Sequence, residues 1–122
     1  MNDWITAIES ALEEFKTETN IPYWFERFDG DEKRLPDTYI VYFLVSDSPL
    51  SSADGKERVH IPRIQVSLFY RNKATFLTVP DKITDKLTEK GFRRSTTGRI
   101  PYQQNTGHYG WRSDFTFYEK KG

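Results

Sequence analysis

Residues 38–45 read TYIVYFLV, and residues 46–57 follow as SDSPLSSADGKE. In the first run Tyr39, Val41, Phe43 and Val45 point one way, and Ile40, Tyr42 and Leu44 point the other. Alternation with both sides apolar predicts a central strand covered on both faces. The second run is rich in Ser, Asp, Pro and Gly, has only Leu50 to offer a core, and predicts a mobile loop. Residues 58–71 are extended again. Val59 and Ile61 share one side, and after Pro62 the apolar set moves to Ile64, Val66, Leu68 and Tyr70. That change of parity predicts a β-bulge or bend near Pro62 and Arg63 inside one long strand. Proline cannot donate a ladder hydrogen bond, and one extra residue exchanges the faces. Two strands around a polar stretch predict a long β-hairpin with an extended tip.

Upstream, residues 2–16 place Trp4, Ile5, Ile8, Ala11, Leu12 and Phe15 at helical spacing, with Asn2 or Asp3 as cap. Glu9, Glu13 and Glu14 lie off that apolar stripe, and the period is lost over residues 17–20. Pro22 then opens an aromatic strand through Tyr23, Trp24, Phe25 and Phe28, and residues 29–34 form a polar turn. Downstream, residues 79–90 predict a second helix with the stripe Phe76, Val79, Ile83 and Leu87. Thr78 to Asp81 fits a capping box, Lys82–Asp85 and Lys86–Glu89 are surface pairs, and Gly91 fits the left-handed stop. Residues 92–97 read as a short strand, 98–110 as an irregular stretch and 111–119 as a closing strand, with residues 120–122 frayed. That last strand turns Trp111, Ser113, Phe115 and Phe117 to one face. The order is α-β-β-β-α-β-β. It predicts an α+β fold in which two helices pack on a mixed or antiparallel sheet, in one domain spanning residues 1–122. Phe43, Val66, Leu68, Phe115 and Phe117 are expected in the core.

The composition narrows the function. The 122 residues carry 18 Lys+Arg against 18 Asp+Glu, for a formal net charge of zero, which argues against sequence-independent nucleic-acid binding. Without cysteine there is no disulfide framework, thiol nucleophile or thiolate metal site. The N-terminus is acidic and amphipathic rather than a signal peptide, and no run approaches a membrane span, so the chain is expected to start near Met1 and stay in the cytosol. Hydrophobic residues make up 36% of the chain and aromatic residues 16%, so the core must rest on Phe, Tyr and Trp.

No arrangement of residues signals catalysis. His60 and His108 lack a His or Cys partner at metal spacing, and read as surface or hydrogen-bonded histidines. Asp29-Gly30-Asp31-Glu32 lacks the ligand spacing of a calcium loop. Gly98, Gly107 and Gly110 match no phosphate-binding pattern, and no G-x-S-x-G elbow occurs. No catalytic residue, cofactor or metal is therefore expected, and the chain does not read as an enzyme. Arg93, Arg94 and Arg99 interleaved with Phe92 and Tyr102 could follow a nucleic-acid backbone, but the same pattern describes an exposed strand. Residues 102–111, YQQNTGHYGW, have the composition of an adaptable protein contact, and equally that of a loop folded back on the sheet.

Taken in order, these pieces resemble the small tail terminator, or tail-completion (head–tail joining), proteins of long-tailed bacteriophages and prophages. The residues that carry the resemblance are the amphipathic first helix, YIVYFLV followed by a polar loop containing ADGK, and a strand centred on Gln65-Val66. Gly91-Phe92 after the second helix and TGHYGW before the last strand complete it. The resemblance implies a structural subunit that joins as a ring, commonly six-fold, at the head-proximal end of the tail tube. Its implied partners are further copies of itself, the tail tube protein and a head-completion or connector protein, with no membrane and no specific nucleic acid. It implies a place in the virion, after assembly in the bacterial cytoplasm. Ring contacts are then expected from Asp47, Asp54, Lys56 and Glu57 at the hairpin tip, and from Arg93, Arg94, Tyr102 and His108. The alternatives are another head–tail connector component, or a host α+β module that binds protein or nucleic acid.

Overall fold

The computed structural model describes residues 3–51, 58–117 and 119–121. Helix α1 spans Trp4–Thr19 and α2 spans Val79–Glu89; the strands are β1 (Tyr23–Phe25), β2 (Thr38–Ser51), β3 (Arg58–Tyr70), β4 (Phe92–Gln103), β5 (His108–Phe117) and β6 (Glu119–Lys121). The sheet runs β1-β2-β3-β5-β4, with β6 also paired to β3. β1 is parallel to β2 and every other pairing is antiparallel. This is the mixed sheet with two helices of an α+β fold.

Both helices pack on one face. Trp4, Ile8, Ala11, Leu12 and Phe15 of α1 and Ile83 and Leu87 of α2 meet Ile40, Tyr42, Ile64, Val66, Leu68, Tyr70, Phe92, Trp111, Phe115 and Phe117 in one core. Phe15, Phe92 and Phe115 are among its largest fully buried side chains, as the aromatic composition required. The expectation that β2 is covered on both faces is corrected. Tyr39 and Val41 are buried on the far side, but Phe43 is only half-buried and Leu44 and Val45 are exposed. Among the described residues no helix lies over that far face. Tyr39 is shielded there by its neighbours Trp24, Phe28 and Phe69.

The element boundaries differ from the sequence reading for identifiable reasons. α1 begins and ends later than expected. The Asp3 carboxylate caps it by accepting from the Thr6 N–H at 2.7 Å, and Asn20, left-handed at φ 67°, closes it with its N–H on the Lys16 carbonyl at 2.7 Å. β1 stops at Phe25, because Glu26 takes φ 69° and turns the chain away. Residues Glu32–Arg34 form a 3₁₀ turn. Thr78 stands at the start of α2 but makes no side-chain cap, so the capping box is absent; Gly91 is left-handed at φ 101°, as expected.

The first half of the stretch read as a mobile loop is strand: β2 continues to Ser51, with Ser46 to Ser51 paired to Arg63 to Arg58, and the second half, residues 52–57, lies outside the described residues. The parity change is real, but the extra residue is on the partner strand. Leu44 pairs with Ile64 and Ser46 with Arg63, so Val45 is the bulged residue and β3 runs straight through Pro62. Residues 98–110 are likewise not irregular. β4 reaches Gln103, turns through residues 104–107 and returns as β5 from His108. Pro101 is tolerated because β4 is an edge strand, and register shifts fall between Arg94 and Thr97 and between Ile100 and Gln103. Lys120 and Lys121, expected to fray, pair with Val59 and Arg58.

Candidate protein interface

The exposed large hydrophobic side chains sort to opposite ends of the sheet. At the β1 end are Ile5, Phe25, Leu44 and Val45, with Phe25 49% exposed. At the β4 end are Phe76, Leu77 and Tyr102, with Leu77 76% exposed.

The β1 end is built on α1 and the short parallel strand. Ile5, Glu9 and Glu13 recur every fourth residue and form one stripe along α1. The Tyr42 hydroxyl donates to Glu9 at 3.0 Å and the Tyr23 hydroxyl donates to Glu13 at 2.7 Å, which fixes that stripe above β1 and β2. Phe25 sits between the Tyr42 ring at 5.3 Å and the Trp4 ring at 6.5 Å. Burial, reinforced by Glu13, pushes the Tyr23 hydroxyl up to about 12; burial and Glu9 push Tyr42 up as well. Among the described residues neither Glu9 nor Glu13 has a cationic partner.

The β4 end is built on the 3₁₀ segment Lys73–Leu77 and the β4–β5 hairpin. Phe76, Tyr70, Tyr109 and Tyr102 form a run of rings with centroids 6.5, 5.9 and 4.8 Å apart. The Arg99 guanidinium lies 4.8 Å from the Phe76 ring centroid. Register puts Arg94 beside Phe115 and Arg99 beside Trp111, on the helix-bearing face, while Arg93 beside Thr116 faces the other way. All three arginines are exposed and, among the described residues, none forms an ion pair.

The helix layer between these ends is locked by ions. Lys86 lies 2.8 Å from Glu18 and 3.7 Å from Glu14, and Lys90 lies 2.6 Å from Glu14. These pairs join α1 to α2, whereas the sequence suggested pairs within α2. The Lys90 ammonium holds the Glu14 carboxyl below the ordinary range, and Glu18 raises Lys86. An open cleft of about 340 Å³ between the helices is lined by Glu18 and Lys86 together with Phe15, Lys82, Asp85 and Glu89.

The helix-free face holds a different set. Arg63 Nε donates to Asp114 Oδ2 at 2.8 Å and its Nη2 reaches Thr96 Oγ1 at 3.2 Å, tying β3, β5 and β4 together. Asp114 Oδ1 is buried without a partner. A second open cleft, about 380 Å³, lies at the end of this face against Arg27, Phe28, Leu35, Tyr39 and Thr106.

The expected contact residues fall in three groups. Asp54, Lys56 and Glu57 lie outside the described residues. Asp47 is exposed on the outer part of β2, while Arg93, Arg94 and Tyr102 are exposed on β4. His108 departs from the set, because it is wholly buried. Its ring meets Tyr39 edge-on, and Nε2 lies 2.8 Å from the Pro36 carbonyl. A carbonyl only accepts, so Nε2 carries the proton; Nδ1 is left without a partner. Trp111, also considered for contact, is buried in the core. The sequence sets Glu9, Glu13 and Glu14 against Arg93, Arg94 and Arg99 as patches of opposite charge, but it does not mark Phe25 or Leu77, and it assigns Ile5 and Phe76 to buried helix stripes whereas both are exposed. His60 lies in β3 opposite Pro49 and Glu119. Among the described residues no three His, Asp or Glu side chains converge to hold a metal ion, and no helix is long and apolar enough to cross a membrane.

No protein-family model matches this chain, and no curated protein matches it. Among solved structures it is similar to a chain of the virion of a native gene transfer agent particle, with a TM-score of 0.54 and 12% identity. The match covers 95% of this chain and 93% of that one. The likeness is one of fold. It extends over nearly the full length of both chains.

Proposed function

We propose that this chain is a structural subunit of a phage-like particle, a ring-forming tail terminator that caps the tail tube and meets the head connector. The observation that carries the reading is the end-to-end likeness of fold to a chain of a gene transfer agent virion, covering 95% of this chain and 93% of the other. The order of motifs that resembles the tail terminators supports the narrower role. So does the division of exposed apolar and charged side chains between two sheet ends, which suits a subunit with two unlike neighbours. In this reading the chain works by contact rather than catalysis, and its place is the head-proximal end of the tail.

Deletion of the gene in a particle-producing strain tests the role. Unjoined heads beside tails of uncontrolled length are expected in negative-stain images. Joined, infectious or transducing particles of normal length would overturn the proposal. Unjoined heads beside tails of normal length would favour the neighbouring connector role.

A further inference from the structure

The two sheet ends differ in charge sign as well as in position. At the β1 end, Ile5 stands one turn from Glu9 on α1 and Phe25 packs on the Tyr42 ring, and among the described residues the Glu9 and Glu13 carboxylates accept only from the Tyr42 and Tyr23 hydroxyls. At the β4 end, the Arg99 guanidinium lies over the Phe76 ring, Leu77 and Tyr102 are exposed, and Arg94 stands further along β4 opposite Phe115. Each end therefore joins exposed apolar side chains to charged groups that, among the described residues, form no ion pair: carboxylates at one end and guanidinium groups at the other. α2, which packs beside β4, carries Asp81, Lys82, Asp85, Lys86 and Glu89 in alternation, with Lys90 at its end, and adds no single-sign field.

Four strand spacings separate β1 from β4 in the sheet order, or about 19 Å of backbone. The two patches cannot close on each other within one chain, so they can meet only between chains. β4 itself is a poor template for a continuous added strand, because Pro101 removes a donor and two register shifts interrupt the ladder. Contact through side chains is then favoured over strand addition.

We infer that the basic β4 end of one copy docks against the acidic β1 end of a second copy, head to tail, with Arg94 and Arg99 facing Glu9 and Glu13. The apolar residues provide the area, Phe25 and Ile5 packing against Leu77 and Tyr102. The charges set the order of the faces and oppose like-to-like pairing. Such a contact is heterologous and repeats until it closes into a ring or extends as a filament. The inference rests on the proposed ring-forming role and names the surfaces that would make the ring.

Paired charge reversals test it. One variant carries Glu9→Lys and Glu13→Lys, and the other carries Arg94→Glu and Arg99→Glu. Sedimentation velocity and negative-stain imaging of each purified chain, alone and mixed in equal amounts, give the readout. Wild type should associate across a concentration series. Each variant alone should associate at least tenfold more weakly, and the mixture should regain wild-type assembly, because every junction in an alternating oligomer again pairs opposite signs. Recovery in the mixture also shows that both variants fold. Phe25→Ser and Leu77→Ser, at exposed positions, should weaken assembly while leaving circular dichroism unchanged.

Wild-type-like assembly by either reversed variant would overturn the inference and leave the ring reading standing. A mixture as monomeric as its parts, with both variants folded, would also overturn it. A wild-type chain that stays monomeric throughout would overturn it too, and the virion role would then be judged separately by the gene deletion.

Discussion

Phe115 illustrates how single residues carry this fold. It is completely buried between β3 and β4, where Ile64 and Arg94 are its cross-strand neighbours. Phe115→Ala should destabilise the chain by ~3–5 kcal/mol, through lost transfer energy and the cavity left behind. Denaturant titration is the check, and a change too small to resolve would mean the site collapses around the gap. Asp114 faces the opposite way, 7% exposed, with Arg63 as its charged partner. Truncating Arg63→Ala strands that carboxylate and should lose ~1–3 kcal/mol, a figure held down because the arginine is itself 40% exposed. Phe115 was legible from its alternation with Ser113 and Phe117. Asp114 was not: a carboxylate in an apolar strand shows that a partner is needed, but not which residue supplies it 51 positions away. His108 was misplaced for the same reason. Glycines on either side suggested a loop, whereas the Pro36 carbonyl and the Tyr39 ring, both distant in sequence, enclose it.

At the scale of elements, the β4–β5 hairpin departs most from the sequence reading. Gly98, Pro101 and Gly110 each argue against a strand, and together they suggested an irregular stretch. Each is tolerated by its position. Pro101 lies on an edge, Gly98 passes beside the Arg112 guanidinium, and Gly110 lies under Ile100. A Cβ at Gly110 would come 2.5 Å from Ile100 Cβ, which has no freedom to withdraw. Gly110→Ala should therefore destabilise by about 1–3 kcal/mol, seen as a lower denaturant midpoint. Helix α1 makes the complementary point. Its apolar stripe was plain in the sequence, but its last turn depended on Asn20 adopting φ 67°. Asn20→Val should lose ~1–2 kcal/mol and Asn20→Gly very little, since only the branched side chain resists that conformation. Equal losses for both substitutions would show that the cap acts through the asparagine side chain instead.

At the scale of the molecule, the charges give folding stability a pH window. The Tyr23 hydroxyl, at about 12, and the raised Tyr42, Tyr39 and Tyr70 hydroxyls keep their protons to higher pH when folded than when unfolded. Their contribution is complete below the ordinary value of 10.0 and is lost as pH rises through the folded values, because the unfolded chain ionises first. Lys86, raised from 10.5 by Glu18, acts in the same direction. Glu14, lowered from 4.5 by Lys90, has the opposite sense: its contribution is present above 4.5 and is lost as pH falls through the folded value. Melting temperature should decline on both sides, and Tyr23→Phe with Tyr42→Phe should flatten the alkaline decline; an unchanged slope would remove those hydroxyls from the account. By itself the sequence determined the α+β class, the two helices, the aromatic core and the long β2–β3 hairpin, because periodicity and burial are local properties of neighbouring residues. Only the tertiary structure decided which sheet face stays free of helices, where Val45 bulges, and that Glu9 and Glu13 lie at the sheet end opposite Arg94 and Arg99. Strand order sets those relations, and strand order is fixed by contacts between residues far apart in the chain.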